Sequence, residues 1–199
     1  MRKIFALASL VVMTQLSAVD VCFFATKNAS AEYFSELVKV LDDKKISWEI
    51  FATDEAETFF KNHKICFKKL SVWMPKKSVM ELSYDDVVAV AKLAAKECKK
   101  AKIVITESGE SLVSRFHYEL ALISSAHRWV FHPTNYSLAQ ADPLLKTKPE
   151  GIIYNHKDDS HELKHRDQVF SISKKDFFNS LAELANGFSA EEFKIKVLG

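Results

Sequence analysis

The sequence predicts a Rossmann-like three-layer α/β sandwich with a mainly parallel sheet. Two observations lead to this fold class. Short runs of residues that are apolar throughout recur along the chain, as in strands buried on both faces of a parallel sheet. Each run is followed by a segment whose apolar residues recur at helical spacing. This alternation indicates strands joined by right-handed helical crossovers that cover both faces of the sheet.

Seven runs are predicted strands, of which KIVIT is the clearest and the third run is the least regular. In chain order the predicted strands are residues 21–26, 46–53, 64–73, 102–106, 128–132, 151–154 and 169–172. Polar residues 27–30 form a predicted loop before the first helix. The later predicted helices are 54–62, a helix that opens at 83–86, 108–126 and 174–185. No repeat of fixed period is visible.

Length and composition indicate one folded domain. The chain has 199 residues, of which 48% are hydrophobic and 27% are charged, so it can bury a substantial core. No stretch rich in Pro, Gly or Ser divides it into halves of different character. We therefore predict a signal peptide at 1–18 and a single α/β domain at 19–199.

The amino terminus has the pattern of an export signal. Arg2 and Lys3 precede an apolar run at 4–13, and a short polar stretch leads to Ala18, after which cleavage is expected. The alternative is a buried first strand or short helix with a basic start. The apolar run is shorter than the roughly 20 residues of a membrane-spanning helix. The sequence thus predicts a periplasmic or secreted protein with no membrane span in its mature form.

Charge and glycine content argue against a nucleic-acid partner and against a phosphate-binding loop. The 28 Lys and Arg residues are nearly balanced by 26 Asp and Glu, and the two signs are interleaved. Only four glycines are present, and neither GxGxxG nor GxxxxGK[ST] occurs. The turn at 106–111 precedes a helix, but Glu107 and Glu110 would repel a phosphate there. Whether the protein uses a cofactor stays open.

Three cysteines are present, an odd number for an exported chain. Cys22 and Cys66 lie in apolar runs and are predicted to be buried, whereas Cys98 lies on a predicted helix among lysines. No cysteine spacing of the zinc type occurs. The segment with His156, His161 and His165 permits either a metal site or a solvated, charge-mixed loop, and the loop is favoured, so no metal site is predicted.

Candidate ligand-binding residues follow the predicted strands. In a parallel sheet a ligand site lies beyond the carboxyl ends of the strands, where the connecting loops converge. Polar side chains able to hydrogen-bond a ligand occur in these places, with Ser108 also a candidate helix N-cap. The predicted ligand-binding residues are Asn28, Ser30, Ser108, Ser111 and Asn135.

Two residues are candidates for catalysis. Glu119 lies beside the apolar stripe of its predicted helix and is either the partner of Arg115, four positions earlier, or a carboxylate aimed into the strand-end crevice. His132 ends its predicted strand before Pro133 and can exchange protons near neutral pH, although a loop histidine that makes one hydrogen bond is the favoured interpretation. No GxSxG motif supports a serine nucleophile.

The segment 102–133 is similar in outline to the nucleotide-sugar half of two-domain glycosyltransferases. It also resembles nucleoside deoxyribosyltransferases. In both, a strand, a Ser/Gly turn and a helix with an inward Glu precede another strand, which here would correspond to KIVIT, Ser108, Gly109 and Glu119. Many Rossmann-like proteins share this outline. The chain lacks the second domain and the Gly-rich loops of the glycosyltransferases.

The sequence therefore favours an exported, soluble protein that binds a small molecule such as a carbohydrate or a metabolite. The first alternative is an enzyme of the glycosyl-transfer or hydrolase type in which Glu119 is base or nucleophile and His132 is acid. The second is a protein-interaction module, indicated by the 12% aromatic content. A crevice with converging polar groups would favour the first two, and an exposed apolar patch the third. The oligomeric state stays open.

Overall fold

The strands form one sheet in which every pairing is parallel. The computed structural model describes residues 19–74, 78–108, 111–132, 149–154, 170–183 and 189–198. The strands are β1 (Val21–Ala25), β2 (Trp48–Ala52), β3 (Lys68–Lys69), β4 (Ile103–Glu107), β5 (His127–His132), β6 (Gly151–Tyr154) and β7 (Phe170–Ser173). Their order across the sheet is β3-β2-β1-β4-β5-β6-β7. The predicted α/β class with a parallel sheet is confirmed.

Helices connect the strands and cover both faces of the sheet. They are α1 (Asn28–Asp43), α2 (Asp54–Asn62), α3 (Tyr84–Cys98), α4 (Ser111–Ile123), α5 (Lys174–Ala182) and α6 (Ala190–Leu198), with 3₁₀ turns at Leu70–Trp73 and Val79–Glu81. On one face α1, α2, α5 and α6 pack a core that includes Phe23 of β1. On the other, α3 and α4 pack a second core that includes Phe24. Both faces of β1 are thus buried, as its apolar sequence predicts.

Several predicted elements have the bounds that their sequence signals imply. The helix 54–62 and the strand 151–154 match α2 and β6 residue for residue. Helix α3 opens with a capping box, in which the Ser83 hydroxyl accepts from the Asp86 N–H and the Asp86 carboxylate accepts from the Ser83 N–H. Local start signals were sufficient for these elements.

Other predicted bounds are wrong. The strand 64–73 reduces to β3, two residues long at the sheet edge, followed by a 3₁₀ turn. Both β3 residues are exposed lysines, which an edge position tolerates and a buried strand does not. The prediction of a loop at 27–30 is wrong because α1 begins at Asn28. Helix α4 begins at Ser111 and not at Ser108, and α6 was not predicted.

The cysteines differ in exposure, and none forms a disulfide. Cys22 on β1 and Cys98 at the end of α3 are buried, and burial raises the pKa of the Cys98 thiol. Cys66 is exposed, so its predicted burial is wrong. The predicted strand 64–73 would have buried Cys66, but this residue lies in the connection before β3.

No helix in the described part of the chain has both the length and the apolar character needed to cross a membrane.

Candidate functional site

The direction in which the chain builds the sheet reverses between β1 and β4. From β1 the chain moves outward to β2 and β3, whereas from β4 it moves in the opposite direction to β5. The helices that follow β1 and β4 therefore cover opposite faces of the sheet, and their strand ends are left facing each other. In open parallel sheets this reversal point, beyond the carboxyl ends of the strands, is where ligands bind.

Glu107, the last residue of β4, is fully buried at this reversal point. Its carboxylate accepts hydrogen bonds from the Thr26 hydroxyl and, at 3.2 Å, from the Lys27 N–H. Both donors follow β1, so the carboxylate joins the two strands at the reversal point. Burial raises the pKa of Glu107, and these hydrogen bonds offset only part of that rise. The side chain is thus a buried acceptor whose charge is destabilised by its surroundings.

The first turn of α1 lies beside this carboxylate. Ser30 is buried, and its hydroxyl favours the charged form of Glu107. Within the described part of the chain, however, this hydroxyl makes no hydrogen bond of regular geometry. Asn28 is exposed, and its N–H donates to the Glu55 carboxylate at 3.3 Å. The two predicted ligand-binding residues are thus in the first turn of α1, the helix that follows β1.

The ends of β4 and β5 bring together two predicted site residues. Ser108 Oγ lies 2.9 Å from His132 Nδ1, and the residues are only 3% and 4% exposed. The pairing of β4 with β5 produces this contact, and the Ser108 N–H donates to the Phe131 carbonyl at 2.6 Å. The result is a buried hydroxyl–imidazole pair one residue after Glu107. Such a pair can exchange a proton or present both groups to a ligand.

Below the strand ends lies a buried histidine that the sequence analysis does not single out. His117 Nε2 on α4 is 2.5 Å from Thr106 Oγ1, and that hydroxyl also donates to the Glu107 carbonyl at 3.1 Å. Because the Thr106 hydroxyl gives its proton to the Glu107 carbonyl, the His117 Nε2–H is the donor in its contact with the Thr106 oxygen. Burial, and secondly the charge of Arg128, lower the pKa of His117 to about 3. The only sequence signal is a histidine inside the apolar stripe of a helix.

Glu119 is held in an ion pair on α4. Its carboxylate contacts the Arg115 guanidinium, which is the i,i+4 pairing that the sequence permits as one alternative. Arg115 also lies 4.8 Å over the Tyr118 ring and donates to the Tyr84 hydroxyl at 3.3 Å. Glu119 is only 6% exposed, and the contact that the structure gives for its carboxylate is with Arg115.

Several predicted positions lie outside the described residues. These are the signal peptide at 1–18, Asn135, and the segment with His156, His161 and His165. Ser111 is the first residue of α4, and its side chain is likewise outside the description. Within the described ranges no cluster of three or more His, Cys, Asp or Glu side chains is arranged to hold a metal ion.

A separate groove of about 520 Å³ lies between α1 and α5. It is lined by Glu36, Lys39, Val40, Asp43, Lys174, Lys175 and Phe178. The charges of both signs are partly exposed, and Lys174 is already paired with Glu36 at 3.3 Å. We place the candidate site at the strand ends, because buried polar groups converge there, whereas the polar groups that line the groove are solvated charges.

No protein-family model matches this sequence, and a search of curated proteins finds none that is significantly similar.

Proposed function

We propose that this chain is an exported protein that binds a small molecule in the crevice at the carboxyl ends of β1, β4 and β5. The observation that carries the proposal is the full burial of Glu107 at the reversal point of the sheet. A buried carboxylate costs stability unless it is compensated, and the donor groups of Thr26, Lys27 and Ser30 compensate it only in part. A ligand that donates to Glu107 would supply the remaining compensation.

The acceptor character of the crevice favours a neutral or cationic ligand rich in donors. A carboxylate accepts about four hydrogen bonds, and the Thr26 hydroxyl and the Lys27 N–H occupy two of these positions. The Ser30 hydroxyl and the Thr26 N–H also favour its charged form, but burial outweighs all four groups. Hydroxyl groups of a carbohydrate, or the amino group of a metabolite, can fill the others. A phosphate would meet Glu107 and Glu55 at the same end of the sheet and would be repelled.

The remaining predicted residues have roles in this proposal that follow from their chemistry. The Ser108 hydroxyl and the His132 imidazole would hydrogen-bond the ligand on the β5 side. Asn28 and Ser30 would contact it from the first turn of α1. Ser111 and Asn135 keep the ligand-binding role that their positions after β4 and β5 predict.

The proposal is tested by screening the purified protein for thermal stabilisation. The probes are neutral mono- and disaccharides, amino acids and polyamines on one side, and nucleotide sugars and sugar phosphates on the other. We expect stabilisation by a member of the first group. Glu107→Gln should weaken its binding at least about tenfold, since a hydrogen bond to a charged group contributes about 1.5–3 kcal/mol. Glu32→Gln, a change at an exposed glutamate of α1, is the matched control.

Unfolding curves of each variant are recorded first, because Glu107 also joins β1 to β4. If Glu107→Gln fails to fold, Ser108→Ala provides the second measurement and should also weaken binding. Stabilisation by phosphorylated probes alone, or equal affinity in all variants, would contradict the proposal.

The contact between Ser108 and His132 favours a second candidate function, an enzyme of the glycosyl-transfer or hydrolase type. A hydroxyl–imidazole pair at 2.9 Å is within proton-transfer reach. In this alternative His132 acts as acid and Glu119 as base or nucleophile, which requires Glu119 to leave Arg115. Hydrolysis of nitrophenyl glycosides or esters that is lost in both His132→Gln and Glu119→Gln would select the enzyme over the binding protein.

A further inference from the structure

The outward side of α4 is apolar. Tyr118 and Leu122, one helical turn apart, are 48% and 64% exposed, and Ala121 beside them is exposed as well. The nearby charges of Arg115 and Glu119 are paired with each other at the flank of the helix. A helix that is apolar on its outer side as well as on its core side is typical of a covered helix.

The other described helices differ from α4 in this respect. They expose ionisable side chains on their outer sides, for example Glu32 and Lys39 on α1, Lys61 on α2, Asp176 on α5 and Glu192 on α6. The solvent-exposed side of α4 is therefore the exception among them. Large exposed side chains of this kind, grouped on one face, are the mark of an interaction surface.

Helix α3 packs against α4 and carries a charge gradient along its outer side. Asp85 lies in its first turn and is exposed, whereas Lys92 and Lys96 lie exposed toward its last turn. Lys99 and Lys100 extend the basic end beyond the helix. Because both helices connect parallel strands, α3 and α4 run in the same direction. The face they share, which we call the α3/α4 face, is thus apolar along α4 and acidic to basic along α3.

We infer that the α3/α4 face is an interface with a second copy of this chain, related by a two-fold axis. A two-fold axis perpendicular to the helices sets the copies antiparallel and places the Asp85 end of one α3 toward the Lys96 end of the other. Opposite charges then face each other at both ends. The same operation brings Tyr118 and Leu122 against their own equivalents and removes them from water. The charge gradient along α3 makes the α3/α4 face complementary to itself. This is why we expect a second copy of the chain as the partner.

Sedimentation velocity of the purified full chain over a range of concentrations tests the inference. We expect a species of twice the 22.6 kDa chain mass. Leu122→Glu places two like charges beside each other across the axis and should raise the dimer dissociation constant at least about tenfold. Asn179→Glu on α5 makes the same change of charge at an exposed position on the opposite face of the sheet and should leave the dimer unchanged.

The charge gradient is tested separately. Asp85→Lys and Lys96→Glu should each weaken the dimer, and the double variant, which restores opposite charges across the axis, should recover part of the lost affinity. Melting curves confirm that each variant is folded, as expected for exposed sites. A monomer at all concentrations would overturn the inference. A dimer that Leu122→Glu does not weaken, or a different protein bound to the α3/α4 face of a monomer, would overturn it as well.

Discussion

Glu107, Ser108 and His132 combine two properties at the scale of single residues, since each is polar and each is almost fully buried. Their mutual arrangement satisfies part of their hydrogen-bonding capacity, through Thr26 for Glu107 and through the contact between Ser108 and His132. Groups of this kind cost free energy unless they have partners. Their concentration at one end of the sheet is the physical basis for placing the site there.

The sequence predicts some of these residues and misses others for a definable reason. Ser108 can be anticipated because it follows a clear apolar strand, and His132 because it ends one. The burial of Glu107 cannot, because β4 continues one residue beyond the apolar KIVIT run, and its partner Thr26 is 81 positions away. For Glu119 the sequence permits either an ion pair with Arg115 or a carboxylate aimed into the strand-end crevice. Only the position of Arg115 in space shows that the ion pair is formed.

His117 leads to a prediction on pH. The folded protein holds this imidazole neutral, with a pKa of about 3, whereas an unfolded chain has a histidine pKa near 6.5. Above pH 6.5 the group is neutral in both states and contributes no pH dependence. Below it the unfolded state gains a proton that the folded state excludes, so stability falls by about 1.4 kcal/mol per pH unit until pH 3. The loss should reach about 2–3 kcal/mol at pH 4.5.

Urea unfolding of the protein and of His117→Gln between pH 4.5 and 7.5 measures this loss. The substitution should flatten the slope relative to the unmutated protein, whatever it does to stability at pH 7.5. His63→Gln, at an exposed histidine of the α2–β3 connection, should leave the slope in place. Equal slopes for the protein and His117→Gln would show that His117 is not held neutral.

At the scale of elements, sequence signals succeed where the structure is locally determined. Helix α3 begins where its capping box predicts, and α2 has the predicted bounds. The prediction for 64–73 fails because pairing at a sheet edge depends on the neighbouring strand and not on the segment itself. Apolar residues near β3, such as Leu70, still reach the core, but they do so from a 3₁₀ turn.

A prediction at the scale of elements concerns Gly151, because β6 needs a residue without a side chain at its first position. A Cβ there would lie 2.5 Å from the Trp129 ring and 2.9 Å from the Phe170 carbonyl oxygen. The Trp129 ring is buried between β5 and the α5/α6 layer, and the carbonyl belongs to β7, so neither can move freely. Gly151→Ala should therefore destabilise the protein by about 1–3 kcal/mol through overpacking.

Denaturant unfolding of Gly151→Ala checks this value. Ser171→Ala, on the adjacent strand β7, adds no atoms and serves as the control. A change below about 0.5 kcal/mol, within the range of ordinary surface substitutions, would mean that the sheet adjusts to the extra methyl group.

At the scale of the whole molecule, the sequence predicts the fold class but not the order of the strands. Apolar strands alternating with amphipathic helices are sufficient for a parallel sheet with two covered faces. Which strands become neighbours depends on long-range pairing, such as Val21 of β1 with both Trp48 and Ile103. The position of the crevice follows from that order, so the candidate site could be predicted to an edge of the sheet and no further.

The relation between the folded part of the chain and its amino terminus gives the last prediction. Strand β1 begins at Val21, and Asp20 before it pairs with Lys102 at 2.7 Å and accepts from the Ser47 hydroxyl at 2.6 Å. Burial opposes the ionisation of Asp20, but these partners outweigh it and lower the pKa of the carboxyl. The chain is thus anchored from Asp20 onward, and cleavage after Ala18 would leave every described strand and helix intact.

We therefore expect the exported protein to begin at Val19. The intact mass of protein recovered from the periplasm or medium should correspond to loss of the first 18 residues, as the basic start and apolar run predict. Ala18→Arg places a large charged residue at the cleavage position, where a small one is required, and should block processing. The same substitution at Ala29, an exposed residue of α1, should not alter the new amino terminus. Full-length protein recovered outside the cytoplasm, or a chain found only inside it, would contradict export by a cleaved signal.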